Sequence, residues 1–518
     1  MGKSLGFASA LYAASILLSR VIGLVREAVI GRTLGNGAEA DVYWTAFILP
    51  DFLNYLLAGG ALSLVFIPIF QAYWAREDEA GAWRAFSRIA AVLGAVVVLA
   101  TVGLWCATPW LTPLIAPGMS AAQHEQLVAL VRILLPAQIF HVVGGLLSAT
   151  LQARDRHAMP ALAPLVYTLG VIIGGVALGP WLGAAGFAWG VLAGSILGPF
   201  GLPLWGARRA GLRWRLEQRW FDADVATYFR RSLPVMLGVS IVVFDDFILR
   251  RQGSLLDEGT ISRLTYAKTL MRVPMGVFGL AAGMAAFPAM TRLFAEGRTG
   301  EGYGLIVRTV RLTLVLALTA QAALSVAGAD IAAVIWGDRR FSSENLAHIG
   351  ELTGWVCLGL WGWSVQGLYA RGFYALGDTL TPTVVGSVVT LAAFPVYGAL
   401  GASYGAPGLA VASSVAISLN AGVMSALLAR RVGGGGAEPG LIDALWRLAI
   451  AVGVAVALGR WMSTTLPSSW PALVRAGLLS GGAALACMGV AAALGIGEVR
   501  DVARNLLSRA RRISARLT

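Results

Sequence analysis

Apolar runs long enough to cross a lipid bilayer follow one another along almost the whole chain. An α-helix needs about 20 consecutive apolar residues to span the hydrocarbon core. The composition agrees, because 57% of the residues are hydrophobic, only 13% are charged and the mean hydropathy is +0.72. Such values are typical of polytopic membrane proteins and exclude an ordinary soluble domain. The sequence therefore predicts an all-α polytopic membrane protein.

Fourteen runs qualify as transmembrane helices. They cover residues 4–31, 39–74, 83–108, 124–153, 160–180, 183–207, 232–253, 262–294, 304–335, 346–376, 380–401, 405–429, 442–465 and 471–495. The longest runs predict helices that tilt, kink or project beyond the lipid. The first run has no small-residue cleavage site closing a short apolar core, so we expect it to be retained as a helix rather than removed as a signal peptide.

Positive charge is concentrated in alternate short loops between the apolar runs. The formal net charge is +13, and arginines cluster at 76–88 and 208–219, whereas the loop at 108–123 contains no Lys or Arg. The loops at 250–263 and 338–340 are basic exceptions on the other side. Because cytoplasmic loops carry the excess of Lys and Arg, both termini are predicted to be cytoplasmic. This pattern accounts for the charge without a nucleic-acid partner.

The sequence contains an internal duplication. "GLLSATLQARDRHAMP" (145–160) aligns with "GLYARGFYALGDTLTP" (367–382) at an offset of 222. "GAAGFA" and "GAPGLA" repeat that offset, and "FIPIFQAYWA" and "AFPAMTRLFA" align at 220. Each repeat holds an even number of predicted helices and returns the chain to the same side, so the repeats should be parallel. Transporters with two lobes around a central cavity are built in this way.

The duplication predicts four regions of the chain. Residues 1–215 form an N-lobe of helices 1 to 6, and 216–432 form a C-lobe of helices 7 to 12. Residues 433–497 add helices 13 and 14, which line a groove, bind a partner or pad a lobe. The tail, 498–518, has apolar residues at helical spacing among arginines. It is predicted to lie on the anionic inner leaflet, with a disordered basic tail as the alternative.

Two arginines lie in the first predicted helix, in the stretch "SRVIGLVREAVIGR". A charge at mid-membrane costs at least about 2.5–3.5 kcal/mol on insertion scales, so Arg20 and Arg26 need a function or a partner. The planar guanidinium gives paired, charge-assisted hydrogen bonds and therefore suits a diphosphate. The two side chains face about 120° apart on a helix, so only a wide cavity receives both. The alternatives are pairing with Glu27, snorkelling to the interface or, for Arg20, holding the lobe together.

A second cationic patch is predicted in helix 8. Lys268 and Arg272 are four residues apart in "YAKTLMRVPMG", which places them on one face of a helix. The repeat relates this position to helix 2 of the first lobe. We predict that the pair binds an anionic ligand, and the alternative is a pair that snorkels at the outer interface.

Three acidic residues allow two interpretations each. Asp41, near the start of helix 2, either pairs with an arginine of helix 1 or caps its own helix. Asp245 and Asp246 in "VVFDDFILRR" either bind a coupling cation or proton, or pair with Lys268 or Arg272. Carboxylates inside a membrane are expensive, which is why each needs such an explanation.

Other chemistry has no support in the sequence. The four histidines are scattered, and the three cysteines lie in apolar runs without CxxC spacing, so we expect buried hydrophobic thiols and no metal site. Walker, Ser-His-Asp and Gly-rich nucleotide motifs are missing, which argues against an ATP-driven pump. The sequence therefore predicts no cofactor, and coupling to membrane potential, Na⁺ or H⁺ is the expected energy source.

The stretch from "SRVIGLVREAVIGR" to "LVFIPIF" resembles the MurJ (MviN) lipid II flippases of bacteria. "YAKTLMRVPMGVFGLAAGMAAFP" resembles their helix 8, and "GFYALGDTLTP" the end of their helix 10. The resemblance covers nearly the whole chain. It implies the MOP-superfamily fold, with two six-helix lobes in a V and helices 13 and 14 forming a groove for the lipid tail. It also implies export of an undecaprenyl-diphosphate-linked peptidoglycan precursor by alternating access.

The resemblance assigns roles to some of these residues. Arg20 and Arg26 match the family's two helix 1 arginines, and Asp41 matches its helix 1–2 aspartate. These positions are therefore expected to bind diphosphate or, for Asp41, to line the cavity or its gate.

The sequence also departs from the family pattern. The family usually has an arginine pair and a glutamate in helix 2, where this chain has Asn54, Tyr55 and Gly59. The family's helix 8 arginine falls on Thr269, and the flanking basic pair of the same helix can carry that charge instead. We therefore count Asn54 and Thr269 among the cavity or gate positions. Either the charge has been relocated, or a divergent member has an altered substrate.

We predict a lipid II flippase of the bacterial cytoplasmic (inner) membrane that serves cell-wall synthesis and cell shape and is not an enzyme. The expected partners are the lipid-linked substrate and membrane lipids, with cell-wall synthesis proteins as further candidates, and the expected state is a monomer.

Three other functions are alternatives to this prediction. One alternative is a MOP-type exporter of another polyprenyl-linked saccharide, or of drugs or cations. A drug exporter would favour an acidic, aromatic cavity and twelve helices. A membrane glycosyltransferase would need an acidic cluster in a long loop, and a scaffold would not need buried arginines.

Overall fold

The computed structural model describes residues 21–58, 65–214, 220–237, 241–432 and 439–499. All regular structure in these ranges is helical, and no β-strand occurs there. Backbone N–H and C=O groups in hydrocarbon must be satisfied within the segment, so a chain of apolar runs folds into helices. The predicted all-α fold class is therefore confirmed. The chain divides into two compact units, Met1–Ser262 and Arg263–Thr518.

The described residues of the first unit form a helix over residues 21–34, here called α1, and eleven further α-helices. These are α2 (Ala38–Thr45), α3 (Ile48–Ala58), α4 (Ile67–Trp74), α5 (Glu79–Ile115), α6 (Ala121–Leu134), α7 (Ala137–Gln152), α8 (Ala158–Leu182), α9 (Ala184–Ser195), α10 (Leu202–Arg209), α11 (Ala223–Leu237) and α12 (Ile241–Gly253). A π-helical segment, Ile196–Gly201, joins α9 to α10.

The second unit continues with helices that are on average longer. They are α13 (Thr260–Pro274), which begins at the unit boundary, α14 (Ala281–Ala295), α15 (Thr299–Trp336), α16 (Ser343–Cys357), α17 (Leu360–Ala375), α18 (Leu380–Arg431), α19 (Pro439–Thr465) and α20 (Ala472–Ala493). A second π-helical segment, Met275–Leu280, joins α13 to α14. The predicted lobe boundaries at 215, 432 and 497 remain predictions.

Nine helical stretches in the described ranges are long and apolar enough to cross a membrane. They account for ten of the predicted spans, because α18 covers two of them. The other four predicted spans are shorter, interrupted or partly outside the described residues: 4–31, 39–74, 232–253 and 346–376. The predicted total of fourteen therefore remains a prediction.

In the described residues the predicted transmembrane span 39–74 is divided into short helices. The span 39–74 holds α2, α3 and α4, with residues 59–64 outside the described part. Pro68 lies in the first turn of α4, where its missing N–H costs nothing. In the described residues the break between α2 and α3 falls at Ala46 and Phe47, directly before the first turn of α3, which holds Pro50.

The internal duplication is visible in the backbone. Gly183 and Gly405 are 222 residues apart, and their φ/ψ values are nearly the same, 54°/−130° and 63°/−140°. Only glycine adopts this region without strain. Gly183 separates α8 from α9, and Gly405 interrupts α18 at the equivalent point. Since Gly405 is non-helical, α18 consists of two helices, as the sequence predicts.

A second turn repeats at the same offset. After α7 the Arg156 N–H donates to Leu151 O, and after α17 the Asp378 N–H donates to Phe373 O, both at 2.9 Å. These bonds close the same type of helix C-terminus in the two repeats. The two repeats thus share local backbone geometry as well as sequence.

Small residues allow α8 and α9 to approach closely. A Cβ on Gly186 would come within 2.6 Å of the Gly179 nitrogen and 2.8 Å of the Leu178 carbonyl carbon. A Cβ on Gly408, 222 residues later, would overlap the Leu400 carbonyl oxygen. Close backbone contact through glycine is a usual way to pack helices in membranes, where lipid provides no hydrophobic driving force.

One side of α5 has the character of a lipid-facing surface. Leu99, Val102 and Trp105 are 72%, 55% and 40% exposed. Cys106 follows them and is exposed, so the prediction of a buried thiol is wrong at this position. The reason is that Cys106 shares the outward side of α5 with these apolar residues. Cys357 and Cys487 are buried, as predicted.

Two ion pairs connect α15 with the C-terminal part of the chain. Asp330 accepts from Arg475 of α20 at 2.8 Å, and Arg311 contacts Glu498 at 2.6 Å. The two positions on α15 are separated by 19 residues, or about 28 Å of helix, close to the thickness of the hydrocarbon core. The helices α19 and α20 also pack against α15 and against each other.

Candidate functional site

Arg26 and Glu27 of α1 form the first part of the candidate site. The Arg26 Nε donates to Glu27 Oε1 at 3.1 Å, and Nη2 donates to the same oxygen. Glu27 is buried, whereas the Arg26 side chain is 29% exposed. Nη1 has no hydrogen-bond partner among the described residues. The expected pairing with Glu27 is therefore present, and it leaves one edge of the guanidinium available to another anion. Arg20 lies outside the described residues.

A polar group that the sequence does not reveal joins α7, α8 and α9. His141 of α7 is 2.9 Å from Ser195 Oγ, whose hydroxyl donates to Val191 O at 2.7 Å. The hydroxyl proton is thus engaged, so the imidazole Nε2–H is the donor to Ser195. The edge of the His141 ring contacts Tyr167 at a centroid distance of 5.4 Å, and Tyr167 is within electrostatic range of Arg26.

These residues come from four helices, which is why sequence reasoning missed them. His141 has no histidine or cysteine near it in sequence, and nothing in the apolar runs that carry Tyr167 and Ser195 distinguishes these residues. Only folding brings the helices α1, α7, α8 and α9 together.

Asn54 joins α3 to α7 through its side-chain amide. Its Nδ2 donates to Gln138 Oε1 at 2.9 Å, and Gln138 is buried. Asn54 thus makes a neutral hydrogen bond where the related family usually has a helix 2 cation. The residue has a structural partner, and its predicted role at the cavity or gate remains a prediction.

Asp41 accepts hydrogen bonds from two backbone amides of its own unit. Oδ2 accepts from the Gly259 N–H and Oδ1 from the Ser262 N–H, both at 2.7 Å. Asp41 is only 5% exposed. The carboxylate therefore satisfies amides at the start of α13, where free N–H groups and the helix dipole favour an anion. This contact was in neither of the two interpretations offered by the sequence.

The basic pair of α13 differs in its surroundings. Lys268 is 4% exposed, and its Nζ lies 5.6 Å from the centroid of the Trp363 ring on α17. Such a cation–π contact stabilises an ammonium group away from water. Arg272 is exposed, and Thr269 between them donates to Thr265 O at 3.0 Å. Lys268 is therefore held against α17, while Arg272 lies on the surface of the unit.

Asp245 and Asp246 lie on α12. Asp245 is 1% exposed, and Asp246 is partly exposed. Across the described part of the chain, no group of three or more His, Cys, Asp or Glu side chains has the geometry to hold a metal ion. Their predicted roles in ion coupling or in pairing remain predictions.

Arg371 of α17 is a cation that the sequence analysis did not single out. It is half-buried, and a Cβ on Gly283 of α14 would overlap its Nη1 and lie 3.1 Å from its Cζ. The guanidinium therefore rests against the backbone of α14. A charge five residues before the end of the predicted span 346–376 was the available signal.

A model of the family described as Lipid II flippase MurJ matches residues 30–474. That match includes helices of both compact units. The chain belongs to the MurJ family. A MurJ relative from Rhizobium meliloti, described as a probable lipid II flippase, is 30% identical over 498 residues, which are 92% of this chain and 91% of the relative. The family resemblance seen in the sequence is thus confirmed.

Solved structures confirm the fold of this MurJ family member. A lipid II flippase MurJ in an inward closed conformation aligns with a TM-score of 0.77 at 18% identity, covering 95% of this chain and 99% of that chain. An inward-facing multidrug resistance MATE transporter of the MOP superfamily aligns with a TM-score of 0.68 at 14% identity, covering 80% and 94%. The chain is therefore a multi-pass membrane protein with a MOP-type fold.

Proposed function

We propose that this chain is a lipid II flippase that moves the undecaprenyl-diphosphate-linked peptidoglycan precursor from the inner to the outer leaflet. The observation that carries the proposal is the MurJ family match across residues 30–474. Two relatives that are named probable lipid II flippases align with this chain over 91% and 94% of their own length. The function serves cell-wall synthesis and needs alternating access of the substrate to the two membrane faces.

The geometry of Arg26 supports recognition of a diphosphate. Glu27 holds Nε and Nη2 on one side, and the partly exposed guanidinium keeps Nη1 for a second acceptor. Charge-assisted bonds from arginine to phosphate oxygens are about twice as strong as neutral ones. We assign Arg20, Lys268 and Arg272 to the same task, with Asp41, Asn54 and Thr269 at the cavity or its gate.

The proposal includes a setting in the cell. The chain would lie in the bacterial cytoplasmic membrane as a monomer with both termini in the cytoplasm, following the distribution of basic loops. Helices α19 and α20 would provide the groove for the lipid tail. Transport would be coupled to membrane potential, Na⁺ or H⁺, with Asp245 and Asp246 as the candidate coupling groups. Cell-wall synthesis proteins are candidate partners.

A second candidate function is export of a different polyprenyl-diphosphate-linked saccharide. The observation that favours it is the neutral hydrogen bond between Asn54 and Gln138 at a position where the resembling family usually has a cation. A changed charge pattern would suit a different saccharide while the diphosphate is still recognised in the same way.

Complementation tests both candidates. The chain would be expressed in a bacterium depleted of its own lipid II flippase, and growth and outer-leaflet lipid II would be measured. The proposal expects both to be restored. If the protein reaches the membrane but restores neither growth nor outer-leaflet lipid II, the lipid II assignment is wrong. Accumulation of another exported polyprenyl-linked saccharide would support the second candidate.

A further inference from the structure

Arg371 is a half-buried cation on α17 of the second unit, within the predicted span 346–376. It lies four residues before the end of α17, so about 6 Å of helix separates it from the terminus at Ala375. In the described part of the chain it makes no hydrogen bond and no ion pair. An arginine one turn from a helix end is able to snorkel to the interface, so the contacts that hold its guanidinium decide between snorkelling and a binding role.

The Arg371 guanidinium packs closely against Gly283 of α14. A Cβ on Gly283 would overlap Nη1, and a Cβ on Gly367 would come within 3.9 Å of the same atom. Glycine on α14 therefore lets the planar group lie directly against the helix backbone. A side chain that only snorkels to the interface would not need this close fit.

Arg371 shares a stripe of α17 with the residue that holds Lys268. Trp363, Gly367 and Arg371 follow at intervals of four, so the first and last are about 80° and about 12 Å apart along the helix. Lys268 lies over the Trp363 ring. Two cations are thus placed at different depths along one helix of the second unit.

The charge is an addition to the shared architecture of the repeats. At the offset of 222, Arg371 corresponds to Ala149, which is buried in the first unit. The MurJ family usually has basic residues at the positions where this chain has Asn54, Tyr55 and Thr269. Arg371 therefore adds positive charge to a chain that lacks it at those three positions.

We propose that Arg371 is a further diphosphate-binding residue, which contacts the lipid-linked diphosphate nearer the cytoplasmic end of α17 before it reaches Lys268. This inference rests on the proposed function, because it takes the substrate to carry a diphosphate. The same guanidinium chemistry would also suit an anionic phospholipid headgroup. The experiment must therefore separate the two sources of phosphate.

The test measures binding of undecaprenyl diphosphate and of phosphatidylglycerol to the purified full chain, together with outer-leaflet lipid II in cells. Arg371→Gln should weaken undecaprenyl diphosphate binding about tenfold, equivalent to about 1.4 kcal/mol, and leave phosphatidylglycerol binding unchanged. Arg371→Lys should lose less affinity for undecaprenyl diphosphate, because lysine keeps the positive charge but cannot form the paired hydrogen bonds of a guanidinium. Gly283→Ala should also weaken binding, because its Cβ displaces the guanidinium without removing it.

Two control variants match these changes. Gly422→Ala places a Cβ where nothing lies within 4 Å, and Arg308→Gln removes an exposed arginine of α15; both should bind as the wild type does. If Arg371→Gln folds poorly, Arg371→Lys and Gly283→Ala carry the test.

Specific outcomes overturn the inference. Unchanged undecaprenyl diphosphate binding by the Arg371 and Gly283 variants overturns it. An equal loss for both lipids would make Arg371 a headgroup contact and also overturn it. In either case a wild-type chain that restores lipid II export leaves the proposed function standing, whereas failure of the wild type affects that function first.

Discussion

Arg26 illustrates how a charge is tolerated within a membrane helix. Its neighbour Glu27 is buried and accepts from two of its nitrogens, which offsets much of the cost of the cation. The Arg26 side chain nevertheless remains partly exposed. The pairing with Glu27 therefore orients the guanidinium and leaves its Nη1 available to a further acceptor. The Asp41 carboxylate is also stabilised by specific partners, because each of its two oxygens accepts a hydrogen bond from one backbone N–H. Both residues combine a structural partner with a proposed role in transport.

Arg26→Ala should abolish precursor export while the protein remains in the membrane. Removal of the guanidinium takes away the proposed diphosphate contact and leaves Glu27 without this counter-charge. Arg26→Lys should be intermediate, because it keeps the charge but loses the fork. The measurements are complementation of a flippase-depleted strain and outer-leaflet lipid II. The control is Arg84→Ala, at an exposed arginine 3.8 Å from Asp78. Full activity of Arg26→Ala would exclude the proposed role.

Asp41→Asn should destabilise the protein by about 1–2 kcal/mol, because an amide nitrogen replaces one of the two acceptors and the negative charge at a helix start is lost. Thermal unfolding of the purified protein in detergent measures this effect. The control is Asp257→Asn, because Asp257 is an exposed aspartate in the loop directly before α13. This variant should leave the midpoint of thermal unfolding unchanged. An unchanged midpoint for Asp41→Asn would show that these amide bonds contribute little to stability.

Among the elements, α15 has the clearest structural role in the second unit. It spans 38 residues and carries an ion pair to the C-terminal segment near each of its ends. The bond between Asp330 and Arg475 is mostly buried, and Arg475 also donates to the carbonyls of Leu466 and Pro467. These contacts fix the height of α20 relative to α15, which packing of apolar side chains alone would leave free to slide.

Breaking the Asp330–Arg475 pair should lower stability by about 1–3 kcal/mol, because either single substitution leaves a mostly buried charge without its partner. The variants are Asp330→Asn and Arg475→Gln, and the readout is thermal unfolding in detergent. A charge exchange, Asp330→Arg with Arg475→Asp, should recover part of the loss. Glu296→Gln, in an exposed pair, is the control. Equal stability of the single variants and the wild type would contradict the proposed anchoring.

For the whole molecule, the charge pattern predicts membrane orientation. Arginines are concentrated in the loops at 76–88, 154–156, 208–219, 292–298 and 430–431, and the loop after α5, at 116–120, has none. The basic loops at 250–263 and 338–340 are exceptions to this pattern. The similarity to MurJ and MATE structures supports the fold but does not by itself give the orientation. Orientation matters for function, because a flippase must take its substrate from the leaflet where the precursor is made.

Reporter fusions test the orientation. Green fluorescent protein at the C-terminus should fluoresce and alkaline phosphatase there should be inactive, since both results indicate a cytoplasmic terminus. Alkaline phosphatase fused within 116–120 should be active. The opposite pattern would reverse the orientation and would place Arg371 at the outer end of α17, against the order of contacts proposed for it.

The sequence by itself determined the helical class, the internal repeat, the family and the charged positions worth testing. Length, apolar runs and the offset of 222 are local properties, so they can be read without a structure. The tertiary structure decided which partners those charges meet: Glu27 for Arg26, backbone amides for Asp41 and the Trp363 ring for Lys268. It also placed Arg371 on Gly283, two residues 88 positions apart. The physical reason is that such contacts join different helices, and periodicity in a chain carries no information on which helix faces which.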